Sequence, residues 1–121
     1  MRRELLLVRE MRDAAVMIRD LVGEREVEEI QEENLRRAAL LWHFTVLGEA
    51  ASQVPSELRA SHPHIAWRAA ARLRNRIVHG YWDIDVATLV ATSADDLPQM
   101  VDDLENLIEA LGSVGDSDPP A

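Results

Sequence analysis

The sequence predicts an all-α protein in the form of an up-and-down four-helix bundle. Apolar residues recur at intervals of three and four along most of the chain, and no segment shows the alternation of a half-buried strand. The links between the helical stretches are short, which favours antiparallel neighbours. A chain of 121 residues suffices for one core and not for two. We expect the bundle to cover residues 1–112 and a flexible tail to cover residues 113–121.

The first half of the chain contains two predicted helices. The first carries one apolar stripe and ends at Gly23. The second extends from Glu24 to Val54, with an acidic first half that is favourable near a helix N-terminus, and Pro55 ends it. Residues 55–63 form a connector in which Ser56 can open a single turn. The stripe of the first helix consists of Leu5, Val8, Met11, Ala15, Ile18 and Val22.

The second half of the chain contains the other two helices. The third is predicted over Ile65–Gly80, and the fourth begins after Asp83 or Asp85. Because Pro98 lacks the N–H that would continue the helical hydrogen bonds, we expect a kink or break near Asp95–Asp96. The small inner face predicted for the third helix consists of Ala66, Ala69, Leu73 and Ile77.

Charge is distributed unevenly along this acidic chain. A net charge of −9 argues at first against a nucleic-acid partner. However, the segment from Leu58 to Trp82 holds five arginines, three histidines and no acidic residue, whereas the rest of the chain has a balance of −14. A local positive field on an acidic body can focus a polyanion onto one place.

Other aspects of the composition limit the chemistry. The chain has no cysteine, which excludes disulfides and thiolate metal sites. No apolar stretch approaches the roughly 18 residues of a membrane span. We therefore expect a cytoplasmic protein that does not act at a membrane and needs no metal or other cofactor.

A polar stripe on the third helix is the candidate functional feature. Arg68, Arg72, Asn75 and His79 are spaced four, three and four residues apart, so they share a face. Two further motif residues, seven apart on a neighbouring line, are Arg74 and Tyr81. Residue chemistry alone leaves two interpretations open: a solvated arginine-rich face that ends in a satisfied histidine, or a functional site.

RNA cleavage is a reaction that this residue set could catalyse. The set contains no carboxylate and no credible metal shell, but RNA carries its own nucleophile, the 2′-OH. Histidine side chains can act as general base or acid near neutral pH, and His79 is the histidine of this set. The arginines, including Arg68, Arg72 and Arg76, can bind phosphate and stabilise the added negative charge. Asn75 can orient the imidazole or a phosphate oxygen.

The motif resembles a known family. Arg74-x4-His79-x-Tyr81, with Asn75 after the arginine, is similar to the motif of HEPN-domain proteins, specifically the HepT toxin branch. Two flanking segments are also similar to that branch, and the likeness extends over residues 38–111. These segments are Leu47-Gly48-Glu49-Ala50-Ala51 and Pro63-His64-Ile65-Ala66-Trp67.

The resemblance implies a specific function and assembly. It implies a four-helix HEPN bundle that forms a homodimer and joins two copies of the motif in one cleft. It also implies metal-independent cleavage of an RNA substrate, with Arg74 and His79 as the catalytic pair and Asn75 in support. The partner implied is a minimal nucleotidyltransferase antitoxin that transfers AMP to Tyr81.

Glu49 and two connector histidines require separate interpretations. An isolated carboxylate in an apolar stretch is costly to bury, so Glu49 is expected to support Arg74 or Arg72 across the bundle, with an exposed position as the alternative. His62 and His64 superficially suggest a metal pair, but a solvated connector is favoured because no carboxylate or cysteine is nearby.

The remaining prominent side chains have mainly structural interpretations. His43 is expected in the core or an interface, and Trp67 and Trp82 as core anchors, with base stacking as the alternative for Trp82. The acidic stretch Glu24–Glu33 is a solvated face or a surface for a basic partner.

Two functional alternatives to cleavage remain. The bundle could be a binding subunit that presents nucleotide or substrate to a nucleotidyltransferase, with arginine and histidine as phosphate ligands. It could also be a purely structural dimerisation bundle.

Overall fold

Residues 2–116 are described by a computed structural model, and this range is helical except for short connections. It contains seven α-helices, one 3-10 helix and no strand, which confirms the all-α prediction for these residues. The α-helices are α1 (Arg2–Val22), α2 (Val27–Glu32), α3 (Asn34–Gln53), α4 (Ser56–Ser61), α5 (Trp67–His79), α6 (Val86–Asp95) and α7 (Leu97–Asp116). None of the helices in the described range is long and apolar enough to cross a membrane.

The long helices pack side by side around one apolar core. Helix α1 packs against both α3 and α7, and α3 also packs against α5. The predicted stripe of α1 is nearly all buried, with Leu5 only partly so. Burial of apolar surface of this kind is the main stabilising contribution to the fold. Among the fully buried side chains are Met11, Ile18, Leu40, Phe44, Leu89 and Leu104.

The prediction of one helix from Glu24 to Val54 is wrong, because the chain forms α2 and α3 instead. Glu33 lies between them with φ −90° and ψ 89°, outside the helical region. The side chain of Arg36 pairs with Glu33 and also donates a 3.1 Å hydrogen bond to the carbonyl of Leu21. These contacts fasten the start of α3 to the end of α1, so the chain turns there without a glycine or proline.

The predicted inner face of the third helix is partly wrong. Ile77 is buried, but Ala66 and Ala69 are exposed, and Trp67 and Ala70 are buried in their place. Helix α5 approaches α3 through Ala70, at the point where α3 has a glycine, and this contact sets the rotation of α5. The alanines on both sides of the helix made its face ambiguous in the sequence.

The fourth predicted helix corresponds to α6 and α7. Helix α6 begins at Val86, and the Asp85 side chain accepts a 3.1 Å hydrogen bond from the N–H of Ala87, as an N-cap residue does. The two helices are separated at Asp96, two residues before Pro98. Helix α7 continues to Asp116, past the predicted start of the tail at residue 113, and residues 117–121 lie outside the described range.

Gly48 allows α3 and α5 to make their close contact. A methyl group at Gly48 would lie 2.5 Å from the carbonyl oxygen of Ala70 and closer still to the Cβ of Arg74. Neither obstacle is the flexible end of a side chain. The two helices must therefore separate if Gly48 gains a side chain.

We expect Gly48→Ala to lower the free energy of unfolding by roughly 1–3 kcal/mol, the usual cost of overpacking. The matched control is Gly112→Ala in α7, where the added methyl group would meet no atom within 4 Å apart from its chain neighbours and the backbone of its own helix. That control should be neutral or stabilising by up to about 1 kcal/mol, since alanine favours a helix over glycine. Urea unfolding measures both variants, and equal stability of the two would contradict the close contact.

Candidate active site

Arg74 is held by two side chains where α5 contacts α3. Its Nη2 lies 2.9 Å from Oε2 of Glu49, and its Nη1 donates a 2.8 Å hydrogen bond to Oδ1 of Asn75. The Nε atom of Arg74 is buried and has no hydrogen-bond partner among the described residues. Of the two arginines considered as partners of Glu49, Arg74 is therefore the one that makes the contact.

Two further side chains extend this contact to α1. Nε2 of Gln53 donates a 3.0 Å hydrogen bond to Oε1 of Glu49, and Nη2 of Arg3 donates a 3.0 Å hydrogen bond to Oε1 of Gln53. The resulting chain of contacts, here called the Arg74 network, comprises Arg3, Gln53, Glu49, Arg74 and Asn75.

Sequence reasoning missed Arg3 and Gln53. A signal existed for Gln53, because it lies four residues after Glu49 and so on the same face of α3. Arg3 had no such signal, since 50 residues separate it from its partner. The side chains of Arg74 and Glu49 are 31% and 45% exposed, so solvent screens their attraction. The network thus orients Arg74 more than it stabilises the fold.

Among the described residues, His79 makes no hydrogen bond or ion pair with a member of this network. It is the last residue of α5 and is exposed. Five residues of an α-helix correspond to about 500° of rotation, so Arg74 and His79 lie about 140° apart around α5. Asn75 precedes His79 by four residues and therefore lies on nearly the same face of α5 as His79.

The predicted phosphate-binding arginines form an outward-facing stripe on α5. Arg68, Arg72 and Arg76 are exposed and share this side of the helix with His79. The ion pairs found among the described residues involve none of these three arginines. Their charge therefore faces solvent, in agreement with the absence of acidic residues from position 58 to position 82.

Two aromatic side chains follow the motif. Tyr81 is 37% exposed and opens the 3-10 helix Tyr81–Asp83. Trp82 is 82% exposed, so its prediction as a core anchor is wrong. Its ring contacts the ring of Tyr81 edge to face, with the centroids 5.2 Å apart, and not the core. Trp67, by contrast, is 5% exposed and donates a hydrogen bond to the carbonyl of His62, which confirms it as an anchor.

The other histidines lie outside this arrangement. Nδ1 of His62 is 3.1 Å from the carbonyl oxygen of Leu58, and the rings of His62 and His64 are 5.9 Å apart. In the range that the structure describes, no three histidine or acidic side chains cluster as metal ligands would. Burial lowers the pKa of His43, which is partly buried on α3.

Comparison with known proteins identifies the family. The family model for ribonuclease HepT-like proteins matches residues 11–111. The chain belongs to the HepT-like ribonuclease family. The match includes the arginine stripe and Tyr81. It also includes every member of the Arg74 network apart from Arg3. The recognition made from the motif is confirmed, and so is the expectation of a ribonuclease.

Several HepT-like relatives share most of their length with the chain. The probable ribonuclease HepT of Thermococcus cleftensis is 28% identical over 95 residues, which cover 78% of this chain and 86% of the relative. A candidate RNase of Methanocaldococcus jannaschii is 27% identical over 86 residues, which cover 71% of this chain and 74% of the relative. No solved structure matches the chain significantly.

The Arg74 network makes a prediction about Glu49. We expect Glu49→Gln to release the guanidinium of Arg74, because a neutral amide binds it more weakly than a carboxylate does. In guanidinium NMR, separate Nη signals of Arg74 should merge in the variant as rotation becomes faster. The free energy of unfolding should change by less than about 1 kcal/mol, as is usual for a partly exposed ion pair.

The control for this measurement is Glu57→Gln, which alters an exposed carboxylate on α4. Arg74 signals that stay the same in Glu49→Gln, or that change equally in the control, would show that Glu49 does not orient Arg74.

Proposed function

We propose that this protein is a metal-independent endoribonuclease of the toxin type that acts through Arg74, Asn75 and His79. The observation that carries the proposal is the family match over residues 11–111, which includes an arginine held by Glu49 and Asn75. A positive stripe on the same helix supplies phosphate-binding groups. Such a site needs no metal, since RNA provides its own nucleophile.

The proposed reaction is the attack of a 2′ oxygen on the adjacent phosphorus. A bond forms between this oxygen and phosphorus while the bond to the 5′ oxygen breaks, and the phosphate is left as a 2′,3′-cyclic diester. The 2′-OH loses a proton to a base, and the departing 5′ oxygen gains a proton. Histidine suits either transfer. Arg74 stabilises the charge that develops on the phosphate oxygens.

We further propose that the HEPN-type four-helix bundle acts as a homodimer with both motifs in one cleft. Arg74 and His79 of one protomer lie on different sides of α5, so a second copy can complete the site. An exposed apolar line supports this assembly: Leu35 is 89% exposed and Trp42 is 63% exposed. Leu35, Trp42 and Glu49 are spaced seven apart on α3, so the apolar line leads directly to the Arg74 network.

The neutralising partner in this proposal is a minimal nucleotidyltransferase antitoxin that attaches AMP to Tyr81. The exposure of Tyr81, two residues after His79, makes its hydroxyl a candidate acceptor. An attached nucleotide would place a phosphate beside the arginine stripe and repel RNA. The modification would thus occupy the surface that the substrate requires.

One observation favours a second candidate function, a non-catalytic binding subunit for a nucleotidyltransferase partner. Both Nη atoms of Arg74 already have partners within the protomer, and His79 lies on another side of α5. Such a subunit would bind nucleotide in calorimetry and leave labelled RNA intact.

We expect His79→Ala and Arg74→Ala each to reduce the rate of RNA cleavage by about 100-fold or more, as loss of a proton-transferring or charge-stabilising group does. Labelled RNA and gel analysis of the unmodified protein measure this rate, and the cleavage should persist in EDTA. Matched controls are His64→Ala and Arg9→Ala, which alter exposed residues outside the motif.

Native mass spectrometry of the same variants should give a dimer, and circular dichroism should show unchanged helix content. A wild-type protein that is free of nucleotide and cleaves no RNA in any condition would refute the enzymatic proposal. Loss of the dimer in Arg74→Ala alone would instead favour a structural bundle.

The modification is tested separately. Co-expression with a nucleotidyltransferase encoded beside the protein should raise its intact mass by one or more AMP units. Tyr81→Phe should prevent the increase, because it lacks the acceptor hydroxyl. An unchanged mass in the wild-type protein would exclude this means of control, and an increase that persists in Tyr81→Phe would assign the AMP to another residue.

A further inference from the structure

We propose that Arg59 of α4 and Arg68 of α5 form an outlying phosphate subsite, which binds the RNA strand several nucleotides from the bond that is cleaved. The inference rests on the proposed function, since it extends the path of the same substrate. It adds a residue, Arg59, that lies outside the motif and on a different helix.

The subsite is a cavity of about 530 Å³ between α4 and the first turns of α5. Arg59 and Arg68 line it together with Ser56 and Pro63. Trp67, which is buried and anchored to the carbonyl of His62, fixes the wall from which Arg68 extends. The two cations therefore face one space from two different helices.

Neither cation forms an ion pair in the part of the chain that the structure describes. The Nε atom of Arg59 is buried without a hydrogen-bond partner in that range. This Nε is closed to solvent, so an anion in the cavity would bind Arg59 through its other guanidinium nitrogens. Two arginines that face one cavity without a carboxylate are suited to a phosphate group.

The charges around α5 favour an RNA strand that runs from the arginine stripe toward α4. On the other flank of α5, a groove is lined by Arg72 and Arg76 on one wall and by Asp95, Asp96 and Asp103 on the other. The three carboxylates repel phosphate from that groove. Toward α4 the chain has no acidic residue between positions 58 and 82, and Glu57 is the one acidic residue of that helix, so a strand bound at the arginine stripe continues toward Arg59.

The length of α5 gives the distance between the two sites. Arg68 and His79 are eleven residues apart, which corresponds to about 16 Å along the helix axis. A stacked strand advances about 3.4 Å per nucleotide, so the subsite lies about five nucleotides from His79 and fewer if the strand is extended. A dinucleotide is too short to reach both places.

The test uses a single-stranded DNA oligomer, which lacks the 2′-OH and stays intact whether or not the protein cleaves RNA. Fluorescence anisotropy measures its Kd for the full chain over a range of salt concentrations. In Arg59→Ala the Kd should rise roughly tenfold or more, the loss expected for one hydrogen bond to a charged group. The slope of log Kd against log salt should fall by about 0.7, the contribution of one phosphate contact on a single strand.

Two control variants separate charge from folding. Arg59→Lys keeps the charge and should retain most of the salt slope, while Arg9→Ala, an exposed arginine of α1, should leave both Kd and slope unchanged. A slope unchanged in Arg59→Ala, or equally reduced in Arg9→Ala, would overturn the subsite.

RNA cleavage by the wild-type protein is measured in parallel. Cleavage together with an unchanged slope in Arg59→Ala would reject the subsite and leave the proposed function standing. A reduced slope together with intact RNA would reject the proposed function and support the subsite as a binding surface.

Discussion

The contact between α3 and α5 at Gly48 is the constraint on which the rest of the molecule depends. Because Gly48 has no side chain, Ala70 and the Cβ of Arg74 can lie directly against α3. This approach buries the Nε of Arg74 and brings its outer nitrogens to Glu49 and Asn75. It also turns the stripe of Arg68, Arg72 and Arg76 toward solvent. Packing and site geometry here have one cause.

The sequence predicted the features that have local causes. Pro55 and Asp85 are local signals, and the helix boundaries beside them are close to those predicted. The division at Glu33 has no such signal, because it depends on Arg36 contacting the distant carbonyl of Leu21. The rotation of α5 about its own axis likewise depends on a contact distant in sequence, that with Gly48 of α3. The sequence predicts burial of Trp82 because large apolar side chains are usually buried, and no local pattern indicates that this ring is exposed.

The same distinction applies to the candidate site. The motif and the possible partnership of Glu49 with Arg74 were visible in the sequence, since residue types and helical spacing carry them. The angle between Arg74 and His79 around α5 follows from their spacing in the sequence. Only the structure shows that Arg74 is the one that contacts α3, through Glu49. The cavity between Arg59 and Arg68 involves two helices whose relative position no local pattern specifies.

The Arg74 network begins at Arg3, in the first turn of α1. Through Gln53, the guanidinium of Arg3 fixes the amide that donates to Glu49, and Glu49 in turn pairs with Arg74. A substitution at Arg3 would therefore alter the support of the motif from another helix, about 70 residues away in the chain.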